Sequence, residues 1–209
     1  MGLFSWFKKP KNTPADSVPV NDTSLRYDLI VPMLSGQSWM DSNKEILSKI
    51  PDLPADNWPI AIPYTDGLFI TYAIDPGPGW EIVSAAHGFC NHDELFPIAI
   101  KNLRNRGDIH IEGGNGRFRL TVPEERTLSA SVVLDLSRWR HAIPISGDLV
   151  IAVPTRIEVL LCAADDKSSV SELTDMAKSR FEAAEGKPIS PNLYYLSSMG
   201  LSPLNSCAE

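Results

Sequence analysis

Leu149-Val-Ile-Ala-Val153 and Ile157-Glu-Val-Leu-Leu-Cys162 are nearly all apolar, and only Pro154-Thr-Arg156 separates them. Strands in the middle of a sheet have this composition, because neither face is left to water. The link is short enough for a hairpin, so the pair predicts the centre of an antiparallel sheet. The sequence before it agrees. Asp108-Ile-His-Ile-Glu112 and Arg117-Phe-Arg-Leu-Thr-Val122 alternate with period two around Gly113-Gly-Asn-Gly116. That is a hairpin with Ile109, Ile111, Phe118, Leu120 and Val122 inward. Leu128 to Leu136 reads as a further strand. Upstream, Leu29–Leu34, Trp58–Ile62, Leu68–Ile74 and Trp80–Ser84 are strand-like. Pro32 marks an edge, and Thr65-Asp-Gly67 and Asp75-Pro-Gly-Pro-Gly79 mark turns.

Helices punctuate these strands. The spacing predicts a short one over Ser42–Ile50, with Ile46, Leu47 and Ile50 on one face. Two longer amphipathic ones cover about 91–106 and 169–185. In the first, Asn91 and Glu94 make a capping box, acids open the helix, Lys101, Arg104 and Arg106 close it, and Gly107 follows. In the second, Ser169 and Glu172 make the box and Val170, Leu173, Ala177, Phe181 and Ala184 make the stripe. Strand runs interrupted by long helices, without regular βαβ alternation, give an α+β class with a mostly antiparallel twisted sheet. The chain has 209 residues. That suits a single domain over 23–196, preceded by an apolar, basic and then Pro-rich segment (1–22) and followed by a tail (197–209).

Three stretches resemble a known family. Gly147-Asp-Leu-Val-Ile-Ala-Val-Pro-Thr-Arg156 with Val159-Leu-Leu161, the helical Ala99-Ile-Lys-Asn-Leu103, and Ile189-Ser-Pro-Asn-Leu193 resemble, in that order, elements of the bacterial domain-of-unknown-function family 1444. The resemblance covers roughly residues 28–196 and departs from the family between Trp58 and Trp80. It implies a cytosolic bacterial protein and, by the family's label, supplies no activity.

Charge is distributed unevenly. The net charge is −7, a poor endowment for a nucleic-acid binder, which works by cationic release of counterions. From Ile50 to Ile100 there is no Lys or Arg, and seven acids (Asp52, Asp56, Asp66, Asp75, Glu81, Asp93, Glu94) account for the whole excess. The stretch also holds Trp58, Tyr64, Phe69, Tyr72, Trp80, Phe89 and Phe96. An acidic face with aromatic anchors suits a basic protein partner, since charge steers encounter and aromatics supply binding energy. The candidate contact residues are Asp52, Asp56, Trp58, Asp66, Asp75 and Trp80. The concrete expectation is a non-enzymatic interaction module, an immunity-type inhibitor of a basic toxin or effector in the cytoplasm.

Two other readings have named residues. His87, Cys90 and His92 form a cluster that metal or nucleophile chemistry would need, although its spacing matches no known site. Against it stands a loop entering a capped helix, with Cys90 as a small hydrophobe. No phosphate loop, Gly-x-Ser-x-Gly elbow or His-Glu-x-x-His occurs, so no cofactor is expected. In residues 1–11, Leu3, Phe4, Trp6 and Phe7 precede Lys8, Lys9 and Lys11. Such a segment either docks on the body of the protein or makes a weak contact with an anionic membrane surface, as a peripheral adaptor would. The order of charge and apolar residues does not make a secretory signal. Cys90, Cys162 and Cys207 make no even framework, as suits a reducing compartment. Arg117 with Arg119, and Arg138 with Arg140, are expected to pair with the acidic segment or face water. Asp148 and Arg156 are expected to pair with each other across the apolar hairpin.

Overall fold

A computed structural model describes residues 27–74, 79–88, 91–185, 188–197 and 200–204. Residues 1–11 with the Pro-rich stretch after them, Asp75, Cys90 and Cys207 therefore lie outside the described residues.

The class is α+β, with every strand pairing antiparallel. Two sheets form, and the first is four-stranded. In it β3 (Leu68–Ile74) lies between β1 (Ile30–Gly36) and β2 (Ala61–Thr65), and β4 (Glu81–Ile82) also pairs with β3. Because β1 and β2 both run against β3, they are parallel to each other. Parallel strands need a crossover rather than a tight turn, and α1 (Gln37–Ser48) begins that crossover. Pro32 does sit on an edge strand. The outer carbonyl groups of that edge are satisfied by buried Asn102, whose amide donates to Tyr27 O (2.6 Å) and Ile30 O (2.8 Å). Asn102 lies on α2 (His92–Arg104), which opens as expected, with Asn91 Oδ1 accepting from Glu94 N–H.

The second sheet has six strands. Its members are β5 (His110–Gly114), β6 (Arg117–Thr121), β7 (Leu149–Ala152), β8 (Val159–Ala163), β9 (Leu193–Ser197) and β10 (Gly200–Pro203). Their order in space is β10-β9-β7-β8-β6-β5. The two apolar runs are its centre, as their composition requires. The β5–β6 hairpin turns through Asn115 (φ 52°) and Gly116 (φ 77°), the left-handed pair that a two-residue hairpin demands. One face sends Leu120, Leu149, Ile151, Val159, Leu161 and Tyr194 into the main core. The other sends Val150, Ala152, Leu160, Cys162 and Leu193 against Leu173 and Ala177 of α3 (Lys167–Glu182). The sheet continues past residue 196, because β10 falls in the expected tail and Leu204 N–H donates to Leu193 O.

Several sequence expectations are corrected. Residues 128–136 are not a strand. Arg126–Leu134 is a 3₁₀ segment that continues into a single α-turn, Leu136–Trp139. A short apolar run cannot by itself separate a buried strand from a buried helix. Here the serines within it decide the matter. Ser129 Oγ accepts Val122 N–H (2.9 Å), Ser131 Oγ accepts Leu34 N–H (3.2 Å), and Ala130 N–H donates to Arg156 O. The segment thus joins the first sheet to the second. The box of α3 starts three residues early: Asp166 is the cap, its Oδ1 accepting Ser169 N–H, while Glu172 pairs with Arg117. The strand expected at Trp58–Ile62 begins at Ala61, because Pro59 and Ile60 instead bridge to Ser84 and Val83. The helix expected at Ser42–Ile50 starts at Gln37 and contains no buried residue. Among the described residues, no helix is long and apolar enough to cross a membrane.

Candidate functional site

α1 turns an apolar edge outward. Ile46 is 46% exposed, Ile50 40% and Trp58 37%. These are three of the four large hydrophobic side chains exposed among the described residues, and they fall within 13 consecutive positions. The sequence places Ile46 and Ile50 on one face, and the structure leaves both exposed. Whether an apolar helix edge is core depends on which element lies opposite, and that information is not local. On the flank of the helix the charges satisfy one another. Lys49 Nζ meets Glu45 Oε1 at 2.6 Å, holding that carboxyl below its usual pKa, and Gln37 donates to Asp41.

After the helix, Asp52 occupies a left-handed turn (φ 55°) and Asp56 lies in the 3₁₀ turn Ala55–Asn57, both exposed. Residues 37–58 carry Asp41, Glu45, Asp52 and Asp56 against Lys44 and Lys49, a net −2. Asp52, Asp56 and Trp58 are therefore all exposed, as are Ile46 and Ile50 just before them in the sequence.

The rest of the expected acidic face does not join them. Asp66 is exposed in the β2–β3 turn, where its carbonyl accepts from Tyr194 O–H (3.1 Å). That is the far end of β2 from Trp58, about 17 Å along a five-residue strand. Trp80 is half-buried against the cluster of Val31, Met33, Ala73 and Leu103, with the Arg106 guanidinium 5.8 Å from its ring centre. A cation thus sits over the very anchor assigned to a cationic partner. Strand geometry is the reason: Asp66 lies at the Leu68 end of β3, and β4, which follows Trp80, pairs at its Ile74 end.

The two histidines are committed to separate partners. His87 Nδ1 accepts Ser84 N–H (3.1 Å), which places the ring proton on Nε2, facing Glu81 at 2.8 Å. His92 Nδ1 lies 2.6 Å from Tyr72 O–H. Burial, with Asp93 nearby, pushes that hydroxyl's pKa well up, so Tyr72 stays protonated and shares a hydrogen bond with the His92 ring. Among the described residues no group of three His, Cys, Asp or Glu could hold a metal ion. Cys162 is buried under α3, and desolvation raises its thiol to about 11, which leaves no thiolate at neutral pH.

A cleft of about 490 Å³ lies beside α3, where the helix stops short of the β5–β6 hairpin. Leu160, Leu173 and Met176 floor it, and Arg117, Arg119 and Arg180 wall it. At its edge Glu158, with a side chain only 3% exposed, accepts from Arg119 Nε (2.8 Å) and from Arg180. Arg119 also meets Glu112 at 2.7 Å, and Arg117 meets Glu172. Three guanidiniums balance three carboxylates, so the cleft has no charge to spare. None of these carboxylates comes from residues 50–100, contrary to the expected pairing.

Arg138 and Arg140 likewise turn elsewhere, to the carbonyls of Gly107 (2.7 Å) and of Ile145 (3.2 Å) and Gly147 (2.5 Å). Asp148 and Arg156 do not pair. Asp148 accepts from Tyr195 O–H, and burial drives the Arg156 guanidinium below its usual pKa.

No known family matches the chain, and no curated protein or solved structure matches it either.

Proposed function

We propose that the chain is a non-enzymatic protein-binding module whose contact surface is the outer edge of α1 and the turn that follows it. One observation carries this reading: Ile46, Ile50 and Trp58 are exposed within 13 residues of sequence that also hold the exposed Asp52 and Asp56. Clustered exposed apolar side chains with a charged rim are the anatomy of an interface, whereas single ones are ordinary surface. The acids select a basic partner and speed its approach, and the apolar residues hold it. The concrete form is an immunity-type inhibitor that covers a basic toxin or effector in a bacterial cytoplasm.

Capture from native lysate tests the reading if the full chain is compared with two variants, Ile46→Asp/Ile50→Asp and Asp52→Lys/Asp56→Lys. The expected partner is basic, is lost from both variants, and weakens as salt rises. A partner retained equally by all three chains, with no dependence on salt, overturns the reading.

A further inference from the structure

We infer that two copies of this chain associate through β5, antiparallel across a two-fold axis at Ile111, so that their second sheets join into one. This surface is separate from the α1 edge and does not depend on the reading of that edge.

The alternation of backbone bonds identifies the groups that are free. In an antiparallel pair, opposed residues either exchange both their bonds or both point away. Ala164 N–H donates to Asp148 O, so the even-numbered residues of β8 bond to β7, and Val159 and Leu161 bond to β6. Their partners Leu120 and Phe118 therefore face β8. Arg117, Arg119 and Thr121 face β5, where they meet Gly114, Glu112 and His110. Ile111 and Gly113, with Ile109 before them, are left with N–H and C=O groups directed off the end of the sheet. Among the described residues β5 pairs with β6 alone, and no hydrogen bond reaches those groups. His110, Glu112, Gly113 and Gly114 are exposed.

β5 also differs from the other strands at the sheet ends. Pro32 lies in β1, Pro63 in β2 and Pro203 in β10. Proline on an edge deters a further strand, and β5 has none. Its one carboxylate, Glu112, is already met by Arg119 at 2.7 Å.

The sequence of β5 complements itself. With the axis at Ile111, that residue exchanges both its bonds with its counterpart, and Ile109 does so with Gly113 of the second copy. His110 then falls opposite Glu112 of the second copy, at a non-bonded position, where side chains come closest. A ring N–H of His110 can donate to that carboxylate, and cross-strand pairs of this kind stabilise a sheet. On the other face, Ile109 and Ile111 are half-buried against the main core, and the isoleucines of the second copy cover what remains. Moving the axis one residue either way sets Glu112 opposite Asp108 or opposite itself. Like charges so placed are destabilising. A contact this short makes a weak dimer, so concentration governs it.

Sedimentation of the full chain from about 1 μM to about 1 mM tests this, with His110→Glu, His110→Lys and Ile111→Pro alongside. Expected is a monomer–dimer equilibrium that stops at the dimer. His110→Glu sets acid against acid at two symmetric positions and should weaken it about tenfold or more, whereas His110→Lys should strengthen it. Ile111→Pro removes an outward N–H and should abolish it. The His110 side chain is exposed, so its two variants keep the fold whatever Ile111→Pro does. Disulfide formation under an added oxidant reads the register, in chains also carrying Cys90→Ser and Cys207→Ser. Ile111→Cys should cross-link to its counterpart. Gly114→Cys, where an added side chain meets nothing, should not, because the two copies of that position lie too far apart. A chain that stays monomeric throughout overturns the inference. So does growth beyond the dimer, a dimer that answers alike to His110→Glu and His110→Lys, or cross-linking at 114 as fast as at 111.

Discussion

α1 and α3 use similar amphipathic sequence to opposite ends. α3 is secured at every level. Asp166 caps it, with a carboxyl drawn below its usual pKa by the Ser169 hydroxyl, and Leu173 and Ala177 are buried against the second sheet. Its Glu172 and Arg180 then reach the sheet's own charges at Arg117 and Glu158. α1 has a glycine at its cap position, ion pairs only within itself, and apolar side chains facing water. A helix pattern in a sequence thus specifies that a face needs cover, not what covers it. In α3 the cover is the sheet beneath, and in α1 Ile46 is left exposed.

Truncating one apolar residue on each helix tests this difference most directly. Leu173→Ala should cost about 4 kcal/mol, because the site is enclosed by Val150, Leu160 and Cys162 and cannot collapse freely. Ile46→Ala should change global stability by no more than about 0.5 kcal/mol, the usual range for a surface position. Urea unfolding of both variants checks the pair. An Ile46→Ala cost close to that of Leu173→Ala would break the comparison and make α1 a core helix.

α2 is anchored as α3 is, and its anchor titrates. Arg104 forks onto Asp135, Nε to Oδ2 at 2.7 Å and Nη2 to Oδ1 at 2.8 Å, tying α2 to the end of the 126–134 segment. The Arg104 hydrogen bonds hold the buried Asp135 carboxyl below its usual pKa, with help from Ser137. A depressed carboxylate contributes stability above its unfolded pKa of about 3.9 and loses it as pH falls through the lower folded value. Arg104→Met leaves that carboxylate buried without its partner. It should lower stability near neutral pH, by less than a fully buried pair would because the Arg104 side chain is half exposed, and this part of the acid-side loss should vanish from its pH–stability curve. α1 holds no buried carboxylate, and Glu45→Gln there should leave the curve almost unchanged.

What the sequence made legible follows from how local each cause is. The β5–β6 hairpin needs only alternation and an Asn115-Gly116 turn, and β7 and β8 need only their composition, so all four were readable. The cap of α2 was readable for the same reason. The 3₁₀ segment was not, because Ser129 and Ser131 bind amides of Val122 and Leu34, which lie 7 and 97 residues away in the sequence. The acidic face was half readable. Asp52, Asp56 and Trp58 are neighbours in sequence and remain so in space. Asp66 and Trp80 shared a charge-free stretch with them only along the chain, and β2 and β3 carried that stretch across the length of a sheet. Ile46 and Ile50 were readable as one face, while their exposure was not, because it depends on what packs opposite.

The missing cap of α1 has a structural cause, and it yields the smallest of these effects. At a helix N-cap, Ser in place of Gly ordinarily gains a few tenths of a kcal/mol, since the hydroxyl takes an orphan amide. Gly36 has φ −99° and ψ 172°, a backbone any residue adopts, so conformation does not require glycine there. Space does. A Cβ at Gly36 would lie 1.8 Å from the carbonyl oxygen of Ile189, backbone that cannot swing aside as a side chain would. This is where the end of β1 meets the strand lead-in of the second sheet, and close contact between the sheets has taken precedence over a capped helix. Gly36→Ser should therefore lower stability by about 2 kcal/mol instead of raising it, as overpacking does, and should leave exchange in α3 as it was. A stabilised Gly36→Ser chain would mean that the two sheets do not meet there, and that α1 is uncapped for want of selection, not for want of room.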